Sequence, residues 1–244
     1  MRFVLSIRTL SIALTIATVL LGGRAYQVDY RNRTIRKIES LGGEFLFLEH
    51  RKTKGIRDLV EIKSPKWLIL KGADRQHVKC VLQELRFLPE IFEVHLTSCE
   101  LGEGDLTPLT EILSLKNLSL SGSSGVRENI ESVTAISTLK KLDLQSTKIS
   151  DRDLKCIAKL SSIKSLDISY CPVTDGGISH LKGHENLLEL KAEGTKITEL
   201  AIADLCNCCS RLVRIEFHEI DVTQEEKLRK LGEKLEQEGY VGQE

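Results

Sequence analysis

The sequence predicts an α/β repeat fold in which each unit of 24 residues supplies one strand and one short helix. Three observations support this prediction. Segments with alternating apolar side chains recur at that interval, a small polar or thiol residue follows each segment at a fixed distance, and a Ser or Thr then precedes a short apolar helical stretch. With 35 basic and 35 acidic residues among 244, the overall charge indicates no class of partner.

The first element is an apolar segment at residues 1–23, which we interpret as a membrane anchor. Residues 3–23 carry one charge, Arg8, and a helix of this length, at about 1.5 Å per residue, is close to the ~30 Å hydrocarbon core of a bilayer. If Arg8 marks the edge of the segment, the shorter apolar stretch is typical of a cleaved signal peptide, and the protein would be secreted or periplasmic. Because the segment continues into helical spacing without a turn signal, we favour an uncleaved single-pass anchor, with its orientation open.

Residues 24–42 predict a basic helix beside the membrane. Ile35, Ile38 and Leu41 keep helical spacing before the glycine pair that begins at Gly42. Residues 1–57 hold eleven Lys/Arg against four Asp/Glu, whereas residues 219–244 hold four against eight. Anionic lipid head groups attract such cations, so the N-terminal end is expected to lie on a bilayer. A nucleic-acid partner is disfavoured, because few aromatic residues accompany the cations and no binding motif is present.

The repeat region spans residues 43–222 and contains about seven or eight units, most regular over 91–217. In a typical unit, Leu142 and Leu144 alternate with Asp143, which predicts a half-buried strand. The predicted strands are residues 43–48, 65–70, 91–96, 115–120, 139–144, 163–168, 187–192 and 212–217.

A small polar or thiol side chain stands three positions after the last apolar residue of each regular strand. We call these residues the turn column: Cys99, Ser123, Thr147, Cys171 and Thr195. Where each repeat turns out of its strand, backbone groups lose their ladder partners, and a short hydroxyl or thiol can bond to them. We therefore predict a structural role for this column.

A Ser or Thr that can cap a helix follows each turn. These residues are Ser150, Thr174, Thr198 and Thr223. Thr223 with Glu226 forms a capping-box pattern, so residues 223–244 predict a C-terminal capping helix and tail. Such a helix would cover the last repeat, which has no following unit.

The repeats resemble a known family. The pattern LxxLxLxx[TC]xI[TS]D, most complete in LKKLDLQSTKISDRDL and IKSLDISYCPVTDGGI, is similar to leucine-rich repeats of the ribonuclease-inhibitor-like and cysteine-containing classes. The N-terminal part is similar to bacterial leucine-rich-repeat proteins that have one membrane segment before the array. The resemblance implies an α/β leucine-rich-repeat solenoid that is curved, with parallel strands on the concave side, helices on the convex side, and protein binding as its usual role.

The concave face is the candidate partner-binding surface, because regular repeats align its polar residues in rows. An alternative is that they are polar only because they face water. The candidates are His95, Asn117, Ser119, Lys141, Asp143, Gln145, Asp167, Ser169, Glu189, Lys191, Glu193, Arg214, Glu216 and His218. Towards the N-terminal end the same positions become apolar, with Phe45, Phe47, Trp67 and Ile69, and we expect the basic helix to cover them.

No metal, cofactor or small-molecule site is predicted. Cys206, Cys208 and Cys209 lack a second CxxC or a histidine pair at ligand spacing, and a disulfide among them is left open. His180 and His184 are four residues apart, but no HExxH motif accompanies them. There is no GxSxG, P-loop or GxGxxG motif, so we expect the protein not to be an enzyme.

The leading functional hypothesis is a non-catalytic scaffold, anchored to a membrane, that binds a protein through its concave face. One alternative is a structural envelope component that self-associates. Another is an F-box-like substrate receptor, which is disfavoured because nothing in residues 1–60 resembles an F-box.

Overall fold

One sheet of nine strands runs through the described part of the chain, and its strands follow one another in sequence order. The computed structural model describes residues 31–47, 65–217 and 220–223. The strands are β1 (Glu44–Phe47), β2 (Pro65–Lys71), β3 (Glu93–Thr97), β4 (Asn117–Ser119), β5 (Lys141–Asp143), β6 (Ser165–Asp167), β7 (Glu189–Lys191), β8 (Arg214–Phe217) and β9 (Ile220–Thr223).

Helical segments connect the successive parallel strands from β2 to β8. Residues 31–40 form helix α1, which precedes β1. The α-helices that follow are α2 (Arg75–Leu85), α3 (Ile130–Ala135), α4 (Asp151–Ile157), α5 (Asp175–Ile178) and α6 (Glu199–Cys208). Short 3-10 helices span Thr107–Glu111, Arg127–Asn129 and Ser179–Leu181. The α/β prediction is confirmed, and the repeated strand and helix units form a solenoid.

The core lies between the sheet and the helices. Leu142, Leu166 and Leu190 pair in register across β5, β6 and β7, and each is at most 1% exposed. Leu154 and Ile157 of α4 are fully buried in the same core. Because each repeat places apolar residues at equivalent positions, one continuous core extends along the array.

A second row of turn residues adopts a left-handed backbone. Ser98, Ser146 and Tyr170 have φ of 53°, 55° and 57°, and Gly122 and Gly194 occupy the equivalent positions with φ of 67° and 60°. The backbone N–H of Ser146 donates to the carbonyl of Ser169 at 2.9 Å. The ladder between repeats therefore continues past the strands and holds even a bulky residue in this conformation.

The two ends of the sheet depart from the repeat pattern. Strand β1 pairs antiparallel with β2, and β9 pairs antiparallel with β8, where Thr223 lies opposite Arg214. A terminal repeat has no following unit, so a returning strand supplies partners for its backbone groups. Thr223 is the last residue of β9, and the rest of the predicted capping helix lies outside the described residues.

Helix α1 packs on the core side of the sheet. Ile35 and Ile38 are 8% and 0% exposed, and a Cβ added to Gly43 would lie 2.6 Å from Ile38 and 3.2 Å from the buried Leu68. Lys37 of α1 pairs with Glu84 of α2 at 2.6 Å. Gly42, with φ of 84°, follows the helix.

The position of α1 corrects one prediction. Trp67 and Ile69 alternate with Leu68, so they face the other side of the sheet, where both are partly exposed. The prediction that the basic helix covers them is therefore wrong. The register also pairs Phe45 with Leu68 rather than with Trp67 or Ile69, and the side chains of Phe45 and Phe47 lie outside the described residues.

The predicted membrane anchor at residues 1–23 lies outside the described residues. Within residues 31–47, 65–217 and 220–223, none of the helices has the length and apolar character needed to span a bilayer.

Candidate binding surface

The turn column lies buried at the end of the strands and bonds to the backbone of its own and neighbouring repeats. The Ser123 hydroxyl donates to the carbonyl of Leu96 at 2.8 Å and accepts from the backbone N–H of Cys99 at 2.9 Å. Thr147 and Cys171 both donate to the carbonyl of Leu144, at 2.6 and 3.1 Å. These contacts fix where each strand ends and hence where the polar residues beside it lie.

A second column of the same kind lies at the start of the strands. Thr138 donates to the carbonyl of Leu115 and Ser162 to that of Leu139, both at 2.7 Å. Ser114 bonds the carbonyl of Ile91 in the same way, and Asn186 donates to that of Ser161 at 2.9 Å. The sequence interpretation missed this column, although its members are also spaced by 24 residues. That spacing is the signal that could have found it.

The polar residues of the sheet form two rows on the face opposite the core, which we call the strand face. The backbone register joins the members of each row across neighbouring strands from β3 to β8. One row contains Glu93, Asn117, Lys141, Ser165, Glu189 and Arg214. The other contains His95, Ser119, Asp143, Asp167, Lys191 and Glu216. His218 lies outside the described residues.

The N-terminal part of the strand face is a small polar cluster around Glu93. His95 Nε2 lies 2.7 Å from Glu93 Oε1, and Asn117 Nδ2 donates to Glu93 Oε2 at 2.9 Å. Both oxygens of this carboxylate are therefore engaged, and the cluster presents a defined geometry.

The C-terminal part is a network of ion pairs. Lys191 Nζ lies 2.6 Å from Glu216 Oε2, and Arg214 Nη2 lies 2.6 Å from the other oxygen of the same carboxylate. Arg214 also approaches Glu189 at 3.6 Å, and Ser165 donates to Glu189 at 2.7 Å. The hydrogen bond to Glu216 raises the pKa of Lys191, which remains a cation at neutral pH.

Between these clusters lies an acidic pair, Asp143 and Asp167, paired in register on adjacent strands. Asp143 accepts from the Ser119 hydroxyl at 2.6 Å and from the Gln145 N–H at 2.9 Å, while Asp167 accepts from the Ser169 N–H at 2.9 Å. Burial raises the pKa of Asp167, and the charge of Asp143 raises it further. Keeping both carboxylates ionised in this position therefore costs free energy.

Two of the candidate residues are almost completely buried. Ser119 is 7% exposed and donates to Asp143, and Ser169 is 3% exposed and accepts from the Glu193 N–H at 3.3 Å. Their hydroxyls hold neighbouring groups in place. Lys141, by contrast, is exposed, and Gln145 and Glu193 are half-buried.

We predict that Asp167→Asn stabilises the protein at neutral pH. The substitution removes a charge that burial disfavours, and the amide oxygen can still accept from Ser169. The gain is expected to be below about 1 kcal/mol, because the side chain is partly exposed and water screens its charge. A carboxyl whose pKa is raised by folding contributes stability that is complete below its unfolded pKa, about 3.9, and is lost as pH rises through its folded pKa.

The advantage of Asp167→Asn should therefore disappear below about pH 4, where the wild-type carboxyl is protonated. Urea unfolding at neutral and acidic pH measures the difference. The exposed Glu103→Gln serves as the control and should show no such pH dependence. A variant that is less stable than the wild type at neutral pH would contradict the prediction.

The cysteines and histidines form no metal centre in the described part of the chain. All seven cysteines have free thiols, with Cys208 exposed and Cys209 buried against the carbonyl of Leu181 at 3.2 Å. Burial, with a smaller contribution from Cys209, raises the pKa of Cys206 to about 11. His184 Nε2 lies 3.0 Å from the carbonyl of Leu160 and Nδ1 accepts from the Leu187 N–H, so this ring has a structural role.

Comparisons with known proteins identify the repeats. The family model described as leucine-rich repeat matches residues 135–158 and 159–181. None of the curated proteins matches the sequence. Together with the sheet and helix arrangement, the match identifies this part of the array as leucine-rich repeats.

Two solved structures from Listeria monocytogenes are similar to the chain. Internalin C2 is 22% identical, with a TM-score of 0.46 over 62% of this chain and 61% of its own. An internalin, InlF, is 20% identical, with a TM-score of 0.43 over 57% of this chain and 38% of its own. The chain therefore spans about three fifths of the first of these structures and less of the second.

Proposed function

We propose that the protein is a non-catalytic scaffold that binds a protein partner through the strand face and is attached to a membrane through residues 3–23. The observation that supports this proposal best is the alignment of polar residues from six strands on one surface. Leucine-rich repeats commonly bind proteins, which supports the same role.

The chemistry of the strand face suits a protein surface with mixed charges. Its ends contain preassembled clusters around Glu93 and Glu216, so a partner would meet side chains whose rotamers are already restricted. Its centre presents the acidic pair Asp143 and Asp167 beside the exposed Lys141. Such an arrangement can orient a partner of complementary charge.

The membrane attachment is supported by the sequence. Residues 3–23 form an apolar run with one charged side chain, and basic residues follow it. An anchor would confine the strand face to the membrane surface, where the effective concentration of a membrane-associated partner is high.

Photo-crosslinking in intact cells tests the partner surface. A photoreactive amino acid at the exposed Lys141 should form an adduct with one defined protein. The same amino acid at Leu200, which is 45% exposed on helix α6, serves as the matched control and should not form that adduct. Equal adducts from both positions, or adducts from Leu200 alone, would refute the assignment of the strand face.

A further inference from the structure

The two edges of the solenoid differ in charge. We define the amino-terminal rim as the loops that enter strands β3 to β8, at residues 86–92, 112–116, 136–140, 158–164, 182–188 and 209–213. Glu90 and Glu185 are its two acidic residues. Its seven basic residues are Arg86, Lys116, Lys140, Lys159, Lys164, Lys182 and Arg211.

The opposite edge has the reverse balance. The loops that leave strands β2 to β7 lie at residues 72–74, 98–106, 120–126, 144–150, 168–174 and 192–198. Lys148 and Lys196 are their two basic residues. Their five acidic residues are Asp74, Glu100, Glu103, Glu193 and Asp105, the last of which is buried and paired with Arg75. The array is therefore polarised across its width, although the whole chain is neutral.

Three lysines of the amino-terminal rim are stacked on one another. The backbone N–H of Lys140 donates to the carbonyl of Lys116 at 2.6 Å, and that of Lys164 donates to the carbonyl of Lys140 at 2.8 Å. Neighbouring strands lie about 4.8 Å apart, so these like charges repel one another. The lysines that form ion pairs in the described part of the chain are Lys37, Lys66, Lys182 and Lys191.

Large apolar side chains are exposed on the same rim. Phe92 and Val213 lie in the same row of backbone hydrogen bonds as the three lysines, and their side chains are 40% and 50% exposed. Leu113, in the loop that enters β4, is 77% exposed. Of the five large hydrophobic residues exposed in the described chain, these three share one edge. Because much of each side chain lies outside the core, these residues are available for contact with another surface.

We propose that the amino-terminal rim docks on the surface of a bilayer that contains anionic lipids. The lysines contact the head-group phosphates, and Phe92, Leu113 and Val213 enter the interfacial region. Cations combined with exposed apolar side chains on one edge fit a lipid interface better than an acidic protein, which would require counter-charges but no apolar insertion. The inference rests on the proposed membrane attachment and adds an orientation, with the acidic edge facing away from the bilayer.

Tryptophan fluorescence tests the proposal in the full chain. Trp67→Phe removes the single native tryptophan. In that background, Phe92→Trp places the probe on the rim, and Leu200→Trp places it on helix α6 as the matched control. Each protein is reconstituted with vesicles of phosphatidylcholine alone or mixed with phosphatidylglycerol, with brominated acyl chains as the quencher.

We expect the probe at position 92 to be quenched in the anionic vesicles and not in the neutral ones, and the probe at position 200 in neither. Replacing Lys116, Lys140 and Lys164 by Gln should lower the docking equilibrium roughly 100-fold, since each lysine near an anionic surface contributes about fivefold. Circular dichroism verifies that this variant is folded.

The proposal would be overturned if the probe at position 92 were not quenched in anionic vesicles. It would also be overturned if the quenching were unchanged after replacement of the three lysines. Soluble polyglutamate provides a second test. If it displaces the rim from anionic vesicles and binds the rim more tightly than lipid does, the rim binds an acidic protein and the proposal is overturned. Flotation separates this result from failure of the anchor. If the chain floats with anionic vesicles but not with neutral ones, and only while its three lysines are present, membrane attachment through residues 3–23 is refuted and docking through the rim is supported.

Discussion

Replacing Leu166 by Ala is expected to lower the free energy of unfolding by about 2–5 kcal/mol. Leu166 is fully buried, and it lies in register between Leu142 and Leu190 in the middle of the array. The substitution removes buried apolar surface and leaves a cavity that two neighbouring repeats line. Because repeats contact only their neighbours, the array has no distant packing that could fill the cavity.

Urea unfolding followed by circular dichroism measures this loss. Leu200→Ala is the matched control, because the same atoms are removed from a side chain that is 45% exposed. We expect the control to cost less than about 1 kcal/mol. Equal losses for the two variants would show that the core does not lie where the structure places it.

The second large effect is expected at Asn129, which is 1% exposed. Its side-chain amide donates to the carbonyls of Gly102 and Gly125, both at 2.8 Å, and its oxygen accepts from the Leu106 N–H at 3.2 Å. Asn129→Ala would leave these backbone groups without their partner. Since each buried group left unpaired costs about 1–3 kcal/mol, we expect a total loss of at least about 2 kcal/mol.

Glu128→Ala is the control for Asn129→Ala, because Glu128 is exposed and belongs to the same short 3-10 helix. Its unfolding free energy should stay within about 0.5 kcal/mol of the wild type. Hydrogen exchange should also show that the Leu106 amide loses protection in Asn129→Ala alone. An Asn129→Ala variant as stable as the control would contradict the hydrogen-bond network.

The regular part of the fold could be predicted because a fixed repeat length imposes a fixed register. Once Asp143 and Asp167 are recognised as equivalent positions, parallel pairing must place them side by side. The contacts of the strand face could not be predicted in the same way. Whether Glu216 bonds to Lys191, Arg214 or both depends on rotamers, which the spacing of residues does not determine.

Other features of the fold could not be predicted from the sequence, for physical reasons. Tyr170 has a left-handed backbone although it is bulky, because the ladder to the next repeat overrides its local preference. The antiparallel strands β1 and β9 close the sheet where the repeat ends, and a periodic pattern carries no information about its own end. The isoleucines of α1 could pack on either side of β2, and helical spacing alone does not determine which side they contact.

The central claim is that the strand face captures a protein partner. The most direct measurement compares recovery of the partner, first identified by crosslinking from position 141, with the wild type and two charge-reversal variants. The first variant combines Asp143→Lys, Asp167→Lys and Glu193→Lys. The matched control combines Glu111→Lys, Glu128→Lys and Glu131→Lys, which changes the charge equally at exposed positions on the helical side.

We predict cooperative unfolding for both variants, recovery at the wild-type level for the control, and loss of recovery for the strand-face variant. Equal recovery with a folded strand-face variant would contradict the claim that this surface binds the partner.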